Sequence, residues 1–174
     1  SFRGLDGSLV MSDESDSAHG MSDVGRSFIA GQLAHLRELS LLYAPNINSY
    51  KRFSAGSFAP TSIEWGRDNR TCALRLVGRK AGLRLENRIP GGDVNPYLAV
   101  AAMIAAGLDG VEKGLELKPE FTGNAYESAG AKAPTPGRRI NSTSCGMLAG
   151  VEAICQSRPR YLNALATLPT LPAP

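Results

Sequence analysis

Between Leu83 and Ile89 charged and apolar residues alternate without a break. On an extended chain Arg84, Glu86 and Arg88 project to one side, and Leu83, Leu85 and Ile89 to the other. The stretch from Lys51 to Arg88 holds seven arginines, Arg52, Arg67, Arg70, Arg75, Arg79, Arg84 and Arg88, against only Glu64, Asp68 and Glu86. A guanidinium binds phosphate or carboxylate oxygens through two parallel hydrogen bonds and stays charged at any working pH. The excess therefore predicts a site for an anion, with phosphate and a metal ion as its chemistry.

Such a face needs a sheet and an ordered loop to hold it. Arg70 to Val77 and Leu83 to Ile89 read as an antiparallel pair joined through Gly78 and Gly82, with their charged faces adjacent. Ser22 is a helix cap, and Val24, Phe28, Leu33, Leu36 and Leu39 keep helical spacing until Pro45, which predicts one amphipathic helix from Ser22 to Tyr43. The Asn-, Ser-, Gly- and Pro-rich segment from Asn46 to Pro60 reads as a long ordered loop. Asn95-Pro96 opens a further helix, and Tyr97 to Leu108, apolar all round, predicts that it is buried. The segment from Ser1 to Gly20 reads as a strand end and loop outside the core. After Glu127 the sequence turns Ala-, Gly-, Pro- and Ser-rich, with Pro134, Pro136, Pro169, Pro172 and Pro174, which predicts a poorly ordered tail over 128–174 with weak helical character near Met147 to Ile154.

Composition narrows the class. A chain of 174 residues with 43% hydrophobic content supports one domain with a real core. A net charge of +3 is too mild for general nucleic-acid binding. Cys72, Cys145 and Cys155 are odd in number and lack metal-binding spacing, so a reducing compartment is expected. The apolar run from Tyr97 to Leu108 falls short of the ~20 residues that cross a bilayer, and the polar N-terminus lacks the features of a signal peptide. The expectation is a cytoplasmic protein with no membrane partner.

Three linked blocks carry a resemblance: Asn46-Ile47-Asn48-Ser49-Tyr50-Lys51-Arg52; Asn69-Arg70-Thr71 with Arg75; and Arg84-Leu85-Glu86-Asn87-Arg88-Ile89-Pro90 running into Asn95-Pro96-Tyr97-Leu98-Ala99. In that order and spacing they resemble the catalytic domain of glutamine synthetases. The likeness covers about residues 1–127 as part of such a domain. It implies an α/β (α+β) fold, a curved antiparallel sheet backed by helices. It also implies the family's reaction: ATP phosphorylates the γ-carboxylate of glutamate, and an amine attacks the acyl phosphate. By resemblance Arg52 and Arg88 hold glutamate, and Arg70 sits between glutamate and the γ-phosphate. Arg75 and Arg84 face the nucleotide phosphates, Arg84 also stabilising the transferring phosphoryl group. Glu86 matches a metal-binding glutamate for Mg²⁺ or Mn²⁺, its ionised form favoured between two arginines. Ser1 matches a serine near the nucleotide that ends a His-x-His-x-Ser segment. Asn48, Ser49 and Tyr50 hold the loop that positions Arg52.

Three departures qualify what the resemblance implies. Where ordinary members carry a glutamate in a Gly-x-Glu-Ala-Pro flap, this chain reads Gly56-Ser57-Phe58-Ala59-Pro60. Phe58 cannot accept a proton and is similar to the branch that joins glutamate to larger amines, including polyamines. The family's other metal-binding glutamates and its metal-binding histidine have no counterpart here. His19 lies in a loop without a partner motif and His35 reads as a surface or packing residue, so this chain alone is expected to be inactive. The tail departs from the family's helical ending, as a shifted frame would explain. Tyr126 lies near the position of the adenylylated tyrosine of regulated enzymes, without the acidic sequence that follows it there. Arg67 and Arg79 match no ligand and read as solvated surface, while Trp65 and Cys72 read as packing. Family members are homo-oligomers. The rival readings are a noncatalytic remnant and an anion- or RNA-binding module that uses the arginine cluster.

Overall fold

The computed structural model describes residues 2–127, and the expectations for Ser1 and for 128–174 lie outside them. Helix α1 (Asp23–His35) starts where Ser22 caps it. The Ser22 Oγ accepts the Gly25 amide at 3.0 Å and donates to the Val10 carbonyl at 2.6 Å. Such a cap stabilises a helix by about 1 kcal/mol, and here it also ties the preceding loop to the helix end. Met11 and Met21 are buried and Phe2 meets Phe28 edge-on at 5.0 Å, so the early segment joins the core rather than staying outside it. The Ser22 amide, bonded back to the Met11 carbonyl, folds that loop against α1.

The helix ends at His35 instead of running to Tyr43. The amides of Ser40 and Leu42 bond three residues back, to Arg37 and Leu39, around a single turn, α2 (Ser40–Tyr43). Leu36, Leu39 and Tyr43 stay in the core, none more than 2% exposed. Spacings of three and four suit both an α-helix and a tighter turn, so the apolar period does not locate the break.

The sheet has three strands in the order β1 (Trp65–Arg67), β2 (Leu74–Val77) and β3 (Arg84–Asn87). The β2–β3 pair is antiparallel as expected, with Arg75 opposite Glu86 and Val77 opposite Arg84. β1, which the sequence pattern does not show, pairs with β2 in parallel, Trp65 beside Leu74. Parallel neighbours usually need a connection of a dozen or more residues. A shorter one suffices here because β1 has three residues and Asp68, at φ 49°, turns the chain back at once.

Helix α3 (Pro96–Lys113) is capped by the Asn95 side chain, which accepts the amides of Tyr97 and Leu98, and it stops at the left-handed Gly114. It is not buried all round. Ala99, Ala102 and Ala106 face the core, whereas Tyr97, Leu98 and Val100 are 86%, 52% and 50% exposed. Small residues face inward because α1 and α3 cross backbone against backbone. A Cβ on Gly31 would lie 2.2 Å from the Ala106 carbonyl oxygen, and one on Gly110 2.2 Å from that of Ser27. His35 joins the two helices by a 2.8 Å bond to Asp109, in the packing role expected of it. The helices and sheet share a core that includes Ile29, Leu36, Tyr43, Trp65, Leu74, Leu76 and Ile89. Among the described residues no helix is long and apolar enough to cross a membrane.

Candidate functional site

The β2–β3 register brings one end of the arginine face together. Arg75 donates through Nη1 to Glu86 at 2.9 Å, and the Arg84 Nε lies 3.6 Å from the other Glu86 oxygen. Asp68, just past β1, accepts from the Arg75 Nε at 3.0 Å and from its Nη2. The Arg75 hydrogen bonds hold the Asp68 carboxyl below the usual carboxylate range, with the charges of Arg70 and Arg67 adding to the effect. In return Asp68, and then Glu86, hold the Arg75 guanidinium above its ordinary value. Arg70 lies exposed on the β1–β2 loop.

The other end is built differently. Arg52 closes a 3-10 turn, Ile47–Arg52, and donates through Nη2 to the Ile89 carbonyl. Ser49 anchors that turn, accepting the Asn46 amide at 3.0 Å and donating to the Asp93 carboxylate. The Ser49 bond, and then one from the Asn46 side-chain Nδ2 at 3.2 Å, push the Asp93 carboxyl down. Burial pushes the Arg52 guanidinium down, an effect that Asp93 opposes and Arg88 reinforces, so the two arginines feel each other's charge. Arg88 donates through Nη2 to the Phe58 carbonyl at 2.7 Å. Phe58 is 82% exposed and sits at φ 63°, a left-handed conformation that a bulky residue adopts only when its surroundings impose it. The Ser57 hydroxyl, two residues before Ala59, shares its proton between the Ser54 carbonyl at 2.7 Å and that of Arg52. The flap thus hangs from both arginines of this end.

Of the residues singled out in the sequence, the structure groups Arg75, Arg84 and Glu86 at one end and Arg52 and Arg88 at the other, with Arg70 on the loop beside Asp68. Three participants were missed. Asp68 carries no local signal, because its partner is set by the turn it occupies. Ser57 acts on main-chain carbonyls and Asp93 on side chains more than forty residues before it, although the Asn46-x-x-Ser49 spacing does mark the turn that Asp93 supports. Arg67 is not solvated surface but a half-buried brace, donating to the carbonyls of His19 at 2.9 Å and Gly78 at 2.8 Å. His19 has a partner after all, Glu120 at 2.7 Å, and meets Trp65 edge-on at 5.2 Å. Trp65 and Cys72 are packed in the core as expected, and burial pushes the Cys72 thiol up to about 11. Arg79 is exposed.

Glu86 does not make a metal site by itself. Among the described residues no group of three or more His, Cys, Asp or Glu is placed to hold an ion, and two guanidinium groups flank this one carboxylate. Among the described residues it can serve as a single ligand only. Two clefts, one bordered by Asp13, Asp16, Arg79 and Lys80 and the other by Ala30, Leu33, Arg37 and Glu116, include none of Arg52, Arg75, Arg84, Glu86 or Arg88 in their linings.

The family model for the glutamine synthetase catalytic domain matches residues 1–159. The chain belongs to the glutamine synthetase family. Among relatives of this family, the γ-glutamylethanolamide synthetase of Streptomyces coelicolor is 59% identical over 144 residues, covering 80% of this chain and 31% of that protein. The γ-glutamylputrescine synthetase of Escherichia coli is 41% identical over 110 residues, 63% of this chain and 23% of the relative. A solved structure of GmaS in complex with ADP superposes with a TM-score of 0.66 at 27% identity, covering 94% of this chain and 41% of that one. The chain therefore spans about a third or less of the curated relatives named here, and the α/β fold agrees with that of the glutamine synthetase-like neighbour.

Proposed function

We propose that this chain supplies the glutamate- and phosphate-holding arginine face of an ATP-dependent ligase that joins glutamate to an amine larger than ammonia. The observation that carries the reading is the grouping of four arginines into two pairs, Arg75 with Arg84 around Glu86 and Arg52 with Arg88 close enough to feel each other's charge. In this reading Arg52 and Arg88 grip the carboxylates of glutamate. Arg75 and Arg84 take the phosphates of ATP, and Arg70, free to swing on its loop, bridges the two. The γ-phosphoryl group leaves ADP as its bond to the bridging oxygen breaks, and a new bond forms to the glutamate γ-carboxylate oxygen. The amine nitrogen then attacks the carbonyl carbon of that acyl phosphate, inorganic phosphate departs with the oxygen, and the amine gives up one proton to the departing phosphate or to water. Arginines suit the first step because charge spreads over the transferring oxygens and fixed guanidinium donors stabilise it without reorganising.

Phe58 sets the amine class. Its ring stands exposed beside Arg88, offering apolar surface to an alkyl chain and no group to take a proton from ammonium. Two relatives whose names carry ethanolamide and putrescine agree with that choice. Asp68 and Glu86 are the carboxylates bonded to these arginines, and with no group of three ligands among the described residues a second reading is favoured, in which this face binds anions without turnover. As in the parent family, the working form is a homo-oligomer.

Melting curves test the assignment. ATP offered as its Mn²⁺ complex raises the melting temperature of the chain, as linkage requires of a ligand that binds the folded state. Arg84→Ala and Glu86→Ala each abolish the shift. A shift that persists unchanged in both variants overturns the assignment.

A further inference from the structure

Every nitrogen of the Arg75 guanidinium already faces a carboxylate. Nε and Nη2 both donate to one oxygen of Asp68, and Nη1 donates to Glu86. The Nε–Nη2 edge is one on which a guanidinium takes two phosphate oxygens in parallel. Asp68 holds it from a fixed backbone: its own amide bonds the Leu76 carbonyl at 2.8 Å and its φ is 49°. Its side chain is nevertheless 72% exposed, against 14% for Arg75, so the carboxylate can rotate away while the main chain stays in place. Arg88 instead donates to a main-chain carbonyl, which leaves its charge unneutralised, and Arg52 donates to another, with Asp93 near enough to offset part of its charge.

We propose that Asp68 is a specificity-determining residue: it occupies the phosphate-binding edge of Arg75 as an internal anion, which a polyphosphate displaces and the carboxylates of glutamate do not. The inference rests on reading Arg75 as a phosphate ligand. An exposed ion pair is weak, and a pyrophosphate group brings several charges against the single charge of Asp68. A glutamate carboxylate brings no more charge than Asp68 and must also surrender its translational freedom. Asp68 thereby keeps glutamate from settling at the wrong end of a face crowded with arginines.

The test is calorimetric titration of the 174-residue chain with inorganic pyrophosphate and with L-glutamate at fixed ionic strength, beside D68N, R75A and the double variant. Asparagine keeps the side-chain shape and tolerates left-handed backbone, so Asp68→Asn folds as the parent does, which melting curves verify. D68N is expected to bind pyrophosphate about three- to tenfold more tightly than the parent and to take up a second glutamate, with both gains absent from the double variant. Equal or weaker pyrophosphate binding in D68N overturns the proposal. So does a gain that survives removal of Arg75, which would reflect net charge alone, and a pyrophosphate gain without a second glutamate overturns the selectivity. If pyrophosphate binds neither chain, the phosphate reading fails and takes the proposal with it. If it binds both alike, only the proposal fails.

Discussion

The two ends of the arginine face hold their guanidinium groups with opposite chemistry. At the Arg75 end the partners are carboxylates, Asp68 and Glu86; at the Arg52 end they are the neutral carbonyls of Ile89 and Phe58. A carboxylate orients an arginine and cancels its charge, whereas a carbonyl orients it and leaves the charge for a ligand. The same residue type in one small region can therefore present a masked cation and a more available one, with the bonding partner making the difference.

The harshest way to break this contrast is to delete an available cation. Arg52→Ala is expected to weaken glutamate binding by roughly a hundredfold, the usual cost of truncating one member of a charge-assisted pair, while leaving pyrophosphate affinity within about twofold. Titration with each ligand separates the two effects, and equal losses for both would mean that the ends are not independent. Arg88→Lys is gentler. It keeps the charge but loses the fork that reaches the Phe58 carbonyl and a ligand together, so glutamate affinity is expected to fall about tenfold.

Acidification sharpens the comparison from the other side. The folded Asp68 carboxyl titrates below its ordinary value of about 3.9. Its bond to Arg75 is therefore fully present above that pH and is lost as pH falls through the lower, folded value. Arg88 donates to a carbonyl that does not titrate, whereas Arg52 also feels Asp93, whose carboxyl is likewise held low. In side-chain ¹⁵N spectra collected down the acid limb, the Arg75 Nε–H signal should move first while that of Arg88 holds; simultaneous movement of the two would contradict the division. The smallest effect belongs to Ser57→Ala, which removes the shared bond to the Ser54 and Arg52 carbonyls. A local loss of about 1 kcal/mol is expected, seen as faster amide exchange across the flap with little change at β2 and β3.

Much of the available end and its strand could be read from residue order, because a period of two decides which side chains share a face and Asn95-Pro96 is a strong helix start. What escaped depends on contacts between distant pieces. The Asp68 bond needs the left-handed turn after β1, and that strand carries too few residues to show a pattern. The burial of Arg67 needs the carbonyls of His19 and Gly78, which reach it from two other loops. The exposure of Tyr97 follows from which stripe of α3 meets the glycines of α1, and hydrophobicity alone names no stripe in a helix that is apolar all round. The helix end at His35 escaped because successive apolar residues satisfy two pitches equally.

The lengths of chain spanned by these contacts also set an order of assembly. Arg75 meets Asp68 and Glu86 across separations of 7 and 11 residues, whereas Arg88 meets Phe58 across 30 and Arg52 meets Ile89 across 37. Short loops close at lower entropic cost and sooner. The masked end is thus a local structure that forms with its own hairpin, and the available end is the part completed late and opened first when the molecule breathes.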